Sequence, residues 1–374
     1  MSPRPGPGTG RLHPGEEERD PTTKTTIPSV RFSQSRINEF RSDPRVVELN
    51  QQESSRTQRN KPTKVDPIML QHYGDSCRIG KQKLNHIFRV FSYNVGGLSF
   101  HHESERVRQL CEFWVHWGQL RALQETHRSW QKVYTVCSYK RWVDSTTSHN
   151  RSAFSLAEMP HDNIYQRGGT ALTVVNHWAT RTVAKGQDKM GRWSWLTLLG
   201  QAQSKITFIS AYRVCKDTMA QNTTSTAAFA QQLWMLENTG RHDLNPRQLF
   251  INNLITLIQG FQSEEHSIIL TFDGNEAVGD EPRGIEQILL KCQLLNAHSL
   301  RAHGPTPPTF VRGTKTIDHI FISPHLRNAV NAVISYPCGL VTSTIITGSL
   351  EWISTRKICL ADPLSLLSPR LCVV

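Results

Sequence analysis

The stretch HSIILTFDGNEAVGDE, residues 266–281, joins an apolar run to a polar loop. The run ending at Phe272 has the length and isoleucine content of a buried β-strand. Asp273 and Asn275 follow it two residues apart, so a carboxylate and a carboxamide stand together at a strand end. This pattern is typical of a hairpin turn, and equally of a site for a metal ion and a phosphate. Asp280 and Glu281, further along, are interpreted as solvated loop acids.

Further strands and helices are predicted from residue 87 onwards. Short apolar runs bounded by turn residues predict strands, and apolar residues three and four apart predict helices. The mixture, without a visible repeat, indicates an α/β chain with two sheets and helices outside them. The predicted strands lie at 87–98, 120–127, 167–176, 192–200, 205–214 and 266–275, with a hairpin at 309–323, and the predicted helices lie at 103–117, 226–240, 246–262 and 283–299.

The chain is strongly basic, with a formal net charge of +12. This surplus favours polyanions such as nucleic acid as partners. Its 8 cysteines include no Cys-x-x-Cys pair, so neither a zinc ribbon nor a redox motif is indicated, and free thiols fit a reducing compartment. No signal-peptide core and no apolar run of roughly 20 residues is present. We therefore expect an intracellular protein of the nucleus or cytoplasm, without membrane contact.

Three segments are expected along the chain. Residues 1–85 are rich in Pro, Gly, Ser and charged residues and lack apolar periodicity, which predicts a disordered basic tail. Residues 86–345 form the predicted α/β domain. Residues 346–374 form an atypical C-terminal tail, of the kind that a truncated or frame-shifted end would produce. A monomer is assumed.

Polar side chains stand at the ends of the predicted strands. In layered α/β folds such ends converge on one rim of the sheets, where sites are built. Taken singly, most have ordinary explanations, since asparagine suits a turn, glutamate a solvated loop and tyrosine a packed core. Asp318 is different, because a carboxylate within an apolar strand is costly unless it is paired or metal-bound. The residues concerned are Asn94, Glu125, Tyr212, Asp273, Asn275 and Asp318.

Five short motifs that contain these residues occur in a characteristic order. In that order they resemble the motifs of the endonuclease/exonuclease/phosphatase superfamily, which includes deoxyribonuclease I, exonuclease III and apurinic-site endonucleases. Within it, LQETH and the tryptophan-rich hairpin most resemble retrotransposon endonuclease domains. The resemblance implies a four-layered α/β sandwich, with two central β-sheets flanked by helices. The motifs are SYN (92–94), LQET (123–126), SAY (210–212), DGN (273–275) and TIDHIFIS (316–323).

The resemblance also implies metal-dependent hydrolysis of phosphodiesters in DNA, with Mg²⁺ as the cofactor and Mn²⁺ as an alternative. By motif, Glu125 resembles the principal metal ligand, and Asn94 resembles the asparagine that helps to orient it and the phosphate. Asp273 resembles the residue that orients or deprotonates the attacking water. Asn275 resembles the asparagine that binds the scissile phosphate. These residue types suit Mg²⁺, which takes oxygen ligands and keeps several waters.

The two remaining matches lead to the main departure from the family pattern. Tyr212 resembles a phosphate-contacting tyrosine, and Asp318 resembles the aspartate that orients a catalytic histidine. In the family that histidine belongs to a Ser-Asp-His motif near the C-terminal end of the domain. Residues 333–374 contain no histidine at all. His319 and His325 are the candidate substitutes.

Two smaller departures accompany it. Phe272 stands where the family has a glycine, which is tolerable if the backbone there does not require positive φ. Ala361-Asp362-Pro363 copies the spacing of the missing motif, but proline cannot do the work of a histidine.

Three functions therefore stay open. The first is a metal-dependent phosphodiesterase acting on DNA, with catalysis reduced by the missing histidine. The second is a catalytically inactive chain that binds nucleic acid or a partner protein. The third is a phosphatase acting on inositol lipids or small phosphoesters, which the net charge of +12 disfavours relative to a long polyanion.

Overall fold

The structure, a computed structural model, covers most of the predicted domain. The predicted basic tail at 1–85, except for Tyr73–Gly74, and the predicted helix at 103–117 lie outside the described residues. The structure describes residues 73–74, 87–98, 119–158, 166–216, 227–301, 308–309, 314–338, 341–348 and 370–372.

Eight strands form the first sheet. It is mixed, because β2 runs parallel to β3 and to β14, whereas the other pairs are antiparallel. Strand β2 also pairs with β13, so several chain segments meet at the sheet centre. The spatial order is β1 (Tyr73–Gly74), β12 (Val330–Cys338), β13 (Val341–Gly348), β14 (Arg370–Cys372), β2 (Ile87–Asn94), β3 (Leu120–Gln124), β5 (Thr170–Val175) and β4 (Asn150–Phe154).

Six strands form the second sheet. Strands β8 and β9 are parallel neighbours at its centre, and all other pairs are antiparallel. The spatial order is β10 (Leu295–Asn296), β11 (Asp318–Ile322), β9 (His266–Asp273), β8 (Lys205–Tyr212), β7 (Trp193–Leu199) and β6 (Thr182–Gln187).

Five helices are described around the sheets. The longest begins after Asn245, whose side chain accepts hydrogen bonds from the main-chain N–H groups of Arg247 and Gln248. Pro246 at its first position suits a helix start, because that N–H needs no partner within the helix. The helices are α1 (Val133–Asp144), α2 (Ala227–Asn238), α3 (Pro246–Ser263), α4 (Glu286–Lys291) and α5 (Ala297–Arg301).

Alternation along the strands divides most of the apolar strand side chains among three main cores. Because residues i and i+2 share one face of a strand, Phe88 and Val90 of β2 face Phe208 of β8 in a central core between the sheets. The intervening residues face outwards. Those of the second sheet pack against α3, and those of the first sheet pack against α1, so that Phe91 and Tyr139 belong to one outer core. The result is four layers, with helices outside two sheets, as the resemblance implied.

Most predicted elements are confirmed, including the β7–β8 hairpin and helices α2 and α3. The single helix predicted at 283–299 is wrong, since the chain there forms α4, β10 and α5. The reason lies in two neighbouring leucines: Leu294 packs in the outer core and Leu295 against the central core. Consecutive residues reach opposite layers in a strand and not in a helix. The first arm of the hairpin predicted at 309–323 lies almost entirely outside the described residues.

The C-terminal part contributes to the first sheet. Strand β13 pairs along β2 from Ser343 to Gly348, and β14 pairs with both β2 and β13. The sequence patterns did not predict these strands, nor α1, β4 and β6. Within the described residues, no helix is long and apolar enough to span a lipid bilayer.

Candidate active site between the two sheets

The alternation that builds the central core also directs four polar side chains between the sheets. Asn94 continues the inward set of β2, and Tyr212 continues that of β8. Asp273 and Asp318 do the same on β9 and β11. The strand register places Tyr212, Asp273 and Asp318 side by side on three neighbouring strands. The predicted residues therefore meet at one end of the cleft between the sheets.

A hydrogen bond joins the two sheets at this point. The Nδ2 of Asn94, on the first sheet, donates to Oδ2 of Asp273, on the second, over 2.7 Å. The Oδ1 of Asn94 accepts from the N–H of Gly96 at 2.9 Å, which fixes the orientation of the carboxamide. Asn94 is thus more than a turn residue, because its side chain binds a carboxylate 179 positions away.

Glu125 leaves the end of β3 with a left-handed backbone, at φ 50°. This conformation is uncommon for a residue with a side chain and is often found at functional sites. The carbonyl of Glu125 accepts from the N–H of Gly97 at 2.8 Å, so the loops after β2 and β3 are tied together. The side chain of Glu125 lies close enough to Tyr212 for its charge to raise the pKa of the tyrosine. Glu125 is therefore part of the same cluster, as predicted by its motif.

The cluster brings several acidic side chains close together in a buried position. Asp273 is 1% exposed, and burial raises its pKa well above the usual range, with further increases from Asp318 and Glu125. Burial also raises the pKa of Asp318 to about 7, against the hydrogen bond from Thr309. Tyr212 stays protonated, because burial and the nearby acids raise its pKa well above 10. Such shifts are typical of a site that binds a cation or transfers protons.

The donor chemistry of this site fits Mg²⁺. Carboxylate and carboxamide oxygens are its preferred protein ligands, and one or two carboxylates suffice because the ion keeps several waters. A divalent cation would also relieve the repulsion that raises the pKa of the buried acids. Among the described residues, no three His, Cys, Asp or Glu side chains lie close enough together to enclose a metal ion by themselves.

Asn275 lies beside Asp273 and is tightly held. Its main-chain N–H donates to Oδ1 of Asp273 at 3.0 Å, and its φ is 48°. Its Nδ2 donates to the carbonyl of Arg213 at 2.7 Å, and its Oδ1 accepts from the thiol of Cys215 at 3.1 Å. The Asp-Gly-Asn segment is therefore not the turn of a hairpin, since it leads from β9 into a long loop and α4.

The interpretation of both acids beyond this segment as merely solvated is wrong for one of them. Asp280 pairs with Lys315 at the surface, at 2.7 Å. Glu281 instead contacts Arg213 and Arg247, each at 3.1 Å, as part of a largely buried group of charges.

Neither candidate substitute supplies the missing histidine. His319 faces the opposite way from Asp318, because adjacent residues of a strand point to opposite faces. Its ring packs against Phe272 and Phe321, and its Nε2 donates to the carbonyl of Glu276. His325 contacts Ser267, at the start of β9, whereas the site lies at the end of that strand. Both histidines are structural.

The connection between β12 and β13 is short and does not carry the missing motif. Cys338 pairs with Val341, so two residues join the strands. Strand β13 lies beside β2, with Ser343 opposite Tyr93 and hence close to Asn94. Residues 330–348 contain neither aspartate nor histidine. An uncharged hairpin therefore ends next to Asn94.

Phe272 is explained by packing. It belongs to the outer core of the second sheet, is fully buried and makes an edge-to-face contact with Phe321, with ring centroids 5.1 Å apart. Its φ is not positive. A large side chain is accommodated there without backbone strain.

Comparison with known proteins agrees with this architecture. No family model and no curated protein matches the sequence. Among solved structures, the AP endonuclease LMAP from Leishmania major matches with a TM-score of 0.51 and 13% identity, covering 77% of this chain and 91% of that chain. This chain has a deoxyribonuclease I-like fold. At such low identity the likeness establishes the fold alone, and the activity has to be argued from the site.

Other structures with this fold are similar to a lesser degree. The 3′ phosphatase NExo from Neisseria, bound to a product DNA hairpin, matches with a TM-score of 0.46 and 14% identity over 69% of this chain and 98% of its own. The endonuclease domain of TRAS1, a telomere-specific non-LTR retrotransposon, matches with a TM-score of 0.39 and 13% identity, covering 70% of this chain and 97% of its own. The retrotransposon domain is thus one of several similar structures, and the Leishmania enzyme scores higher.

Several residues that contact the cluster were not predicted. Cys215 and the carbonyl of Arg213 hold Asn275, three residues or fewer after Tyr212. Arg167 lies within electrostatic range of Tyr212, and burial lowers its pKa to about 10. The SAY motif ends at Tyr212, so only the fold of the segment after it reveals the contacts of Arg213 and Cys215. In the sequence, the position of Arg167 directly before Gly168-Gly169 was the one available indication that it lies near the site.

Proposed function

We propose that this chain hydrolyses phosphodiester bonds in DNA with the help of Mg²⁺, as a nuclease of the retrotransposon-endonuclease type. The observation that carries the proposal is the hydrogen bond between Asn94 and Asp273. It joins two sheets at the point where Glu125, Tyr212 and Asp318 also converge. The net charge of +12 favours a polyanionic substrate. The retrotransposon-type assignment rests on the LQETH motif and the tryptophan-rich hairpin.

Each residue has a definite task in this proposal. Glu125 and Asn94 would hold the ion, which would neutralise charge on the phosphoryl oxygens. Asp273 orients the attacking water and accepts its proton, and its raised pKa brings it towards the range of an effective general base. Tyr212, protonated at neutral pH, donates to a phosphate oxygen. Asn275 donates to the same phosphate without adding negative charge.

We expect a low rate of DNA hydrolysis. A positioned acid or base typically contributes about 10²–10⁴ in rate. The β12–β13 hairpin, which contains neither Asp nor His, lies beside β2 and close to Asn94. In the part of the chain that the structure describes, the contacts of Asp318 are with Thr309 and with Asp273 on β9, and not with a histidine. We expect turnover reduced by a factor of this size relative to a complete site.

The same hairpin favours a second candidate function, which is DNA binding without hydrolysis. The residues proposed to contact phosphate, Asn275 and Tyr212, are in place whether or not a proton donor for the leaving group is present. In this case the chain would bind duplex DNA and leave it intact. A phosphatase acting on small phosphoesters stays the third alternative.

A nicking assay on supercoiled plasmid with Mg²⁺ separates these candidates. Glu125→Ala should lower the nicking rate at least 100-fold, because it removes the proposed metal ligand. Glu264→Ala is the matched control, since Glu264 is exposed and lies before the start of β9, at the other end of that strand from the site. Control and wild type should nick equally.

Equal background nicking by the wild type and Glu125→Ala would reject the hydrolase. Fluorescence anisotropy with a labelled duplex would then test the second candidate. Binding that weakens with salt supports it, because phosphate contacts release counterions.

A further inference from the structure

Asn275 is held at both ends of its carboxamide. A carbonyl oxygen can only accept, so the nitrogen must face the carbonyl of Arg213, at 2.7 Å, and the oxygen must face the Cys215 thiol, at 3.1 Å. The orientation of the amide is therefore determined by its partners. The nitrogen carries two hydrogens, and the carbonyl of Arg213 uses one. The second hydrogen is the one that a phosphate oxygen would accept.

The thiol acts as the donor in this contact. Burial, together with the negative charges of Asp273 and Glu125, raises the pKa of Cys215 to about 12, against smaller opposing effects of Arg247 and Tyr212. The thiol is thus protonated at neutral pH and can donate to the carboxamide oxygen. A thiolate at this place would repel that oxygen and turn the amide.

The segment that carries Cys215 is anchored by buried charges. Arg213 binds Glu276 through Nη1, and Arg247 binds the same Glu276 oxygen at 2.9 Å. Both arginines also contact Glu281, and Arg247 donates to the carbonyl of Val214 at 2.5 Å. The loop after β8 is therefore fixed to the loop after β9. Cys215 and Asn275 lie on these two loops.

We propose that Cys215 is a positioning residue for the reaction: its thiol holds the carboxamide oxygen of Asn275 and thereby directs the nitrogen at the scissile phosphate. The proposal rests on the proposed function, because it assigns a role at the same site. Arg213 shares this task through its carbonyl oxygen alone. Cys215 itself touches neither the phosphate nor the attacking water.

Two substitutions separate a donor from a space-filling side chain. Cys215→Ser keeps a donor, and Cys215→Ala removes it. Cys215→Ala should lower kcat/KM for nicking about tenfold, mainly through KM for DNA, because Asn275 then loses its orientation. Cys215→Ser should stay within about threefold of the wild type. Equal losses in both variants, or no loss in either, would overturn the proposal.

A second measurement does not depend on turnover. The side-chain amide resonances of Asn275, identified by their loss in Asn275→Ala, should shift in Cys215→Ala and return towards their original position in Cys215→Ser. Resonances that do not move in Cys215→Ala would overturn the proposal. If the wild type and Glu125→Ala nick equally, the proposed hydrolase activity is rejected. The amide resonances would still show whether the Cys215 thiol orients Asn275.

Discussion

Replacing Arg213 by methionine should cost far more stability than replacing an arginine at the protein surface. The side chain of Arg213 is 1% exposed and that of Glu276 is 3% exposed, so the pair has almost no contact with solvent. Methionine has a similar length and fills the space without charge. Glu276 would keep Arg247 as a partner but lose one of its two cations. A buried carboxylate left incompletely paired is strongly destabilising.

The expected magnitude follows from burial. Breaking a buried pair typically costs about 3–5 kcal/mol, whereas an exposed pair contributes less than about 1 kcal/mol. Lys315 and Asp280 form a pair of the second kind, with a distance of 2.7 Å and with Lys315 59% exposed. The difference in burial therefore predicts a much larger loss of stability for Arg213 than for Lys315.

Urea denaturation followed by circular dichroism measures the difference. With a slope of about 3 kcal/mol per molar urea, Arg213→Met should lower the midpoint by about 1–1.7 M. Lys315→Met, the matched control, should change it by less than about 0.3 M. Similar midpoints for the two variants would refute the argument from burial.

A double variant tests the cause. Glu276→Gln removes the negative charge and keeps an acceptor for the N–H of Ile285. Arg213→Met with Glu276→Gln should lose less stability than the sum of the single changes, because no charge is left incompletely paired. Strict additivity would show that the destabilisation arises from packing.

Two further predictions concern the buried acids. The folded-state pKa of Asp318, about 7, lies above its ordinary value of 3.8, so the folded protein binds the extra proton between these values and its stability should fall as the pH rises through that range. In EDTA, Asp318→Asn should therefore raise the urea midpoint more at pH 8 than at pH 5, because pH 5 lies only part of the way through that range, and an equal change at both values would contradict the assignment. Millimolar Mg²⁺ should raise the melting temperature at pH 7.5, because an ion that binds only the folded state stabilises it. This increase should disappear in Glu125→Ala and persist in Glu264→Ala, and an increase of the same size in all three proteins would place the ion elsewhere.

The sequence determined the alternation of the central strands and the identity of the residues at their ends. Once Phe88 and Val90 face the central core, Asn94 must face the same cleft, because the side-chain period of a strand is two. The same rule places Asp273 inside and Phe272 outside. Local chemistry of this kind is read directly from the order of the residues. It sufficed to predict an α/β fold with two sheets and to single out the polar residues that the structure brings together.

Only the tertiary structure decided how these residues meet. The contact of Asn94 with Asp273 spans 179 positions and depends on the packing of two sheets. The break between α4 and α5 depends on which core each leucine reaches. The uncharged β12–β13 hairpin beside Asn94, and the thiol that holds Asn275, follow from strand register and loop anchoring. Such long-range contacts depend on the packing of the whole chain, because the local sequence does not specify which distant residue a side chain will contact.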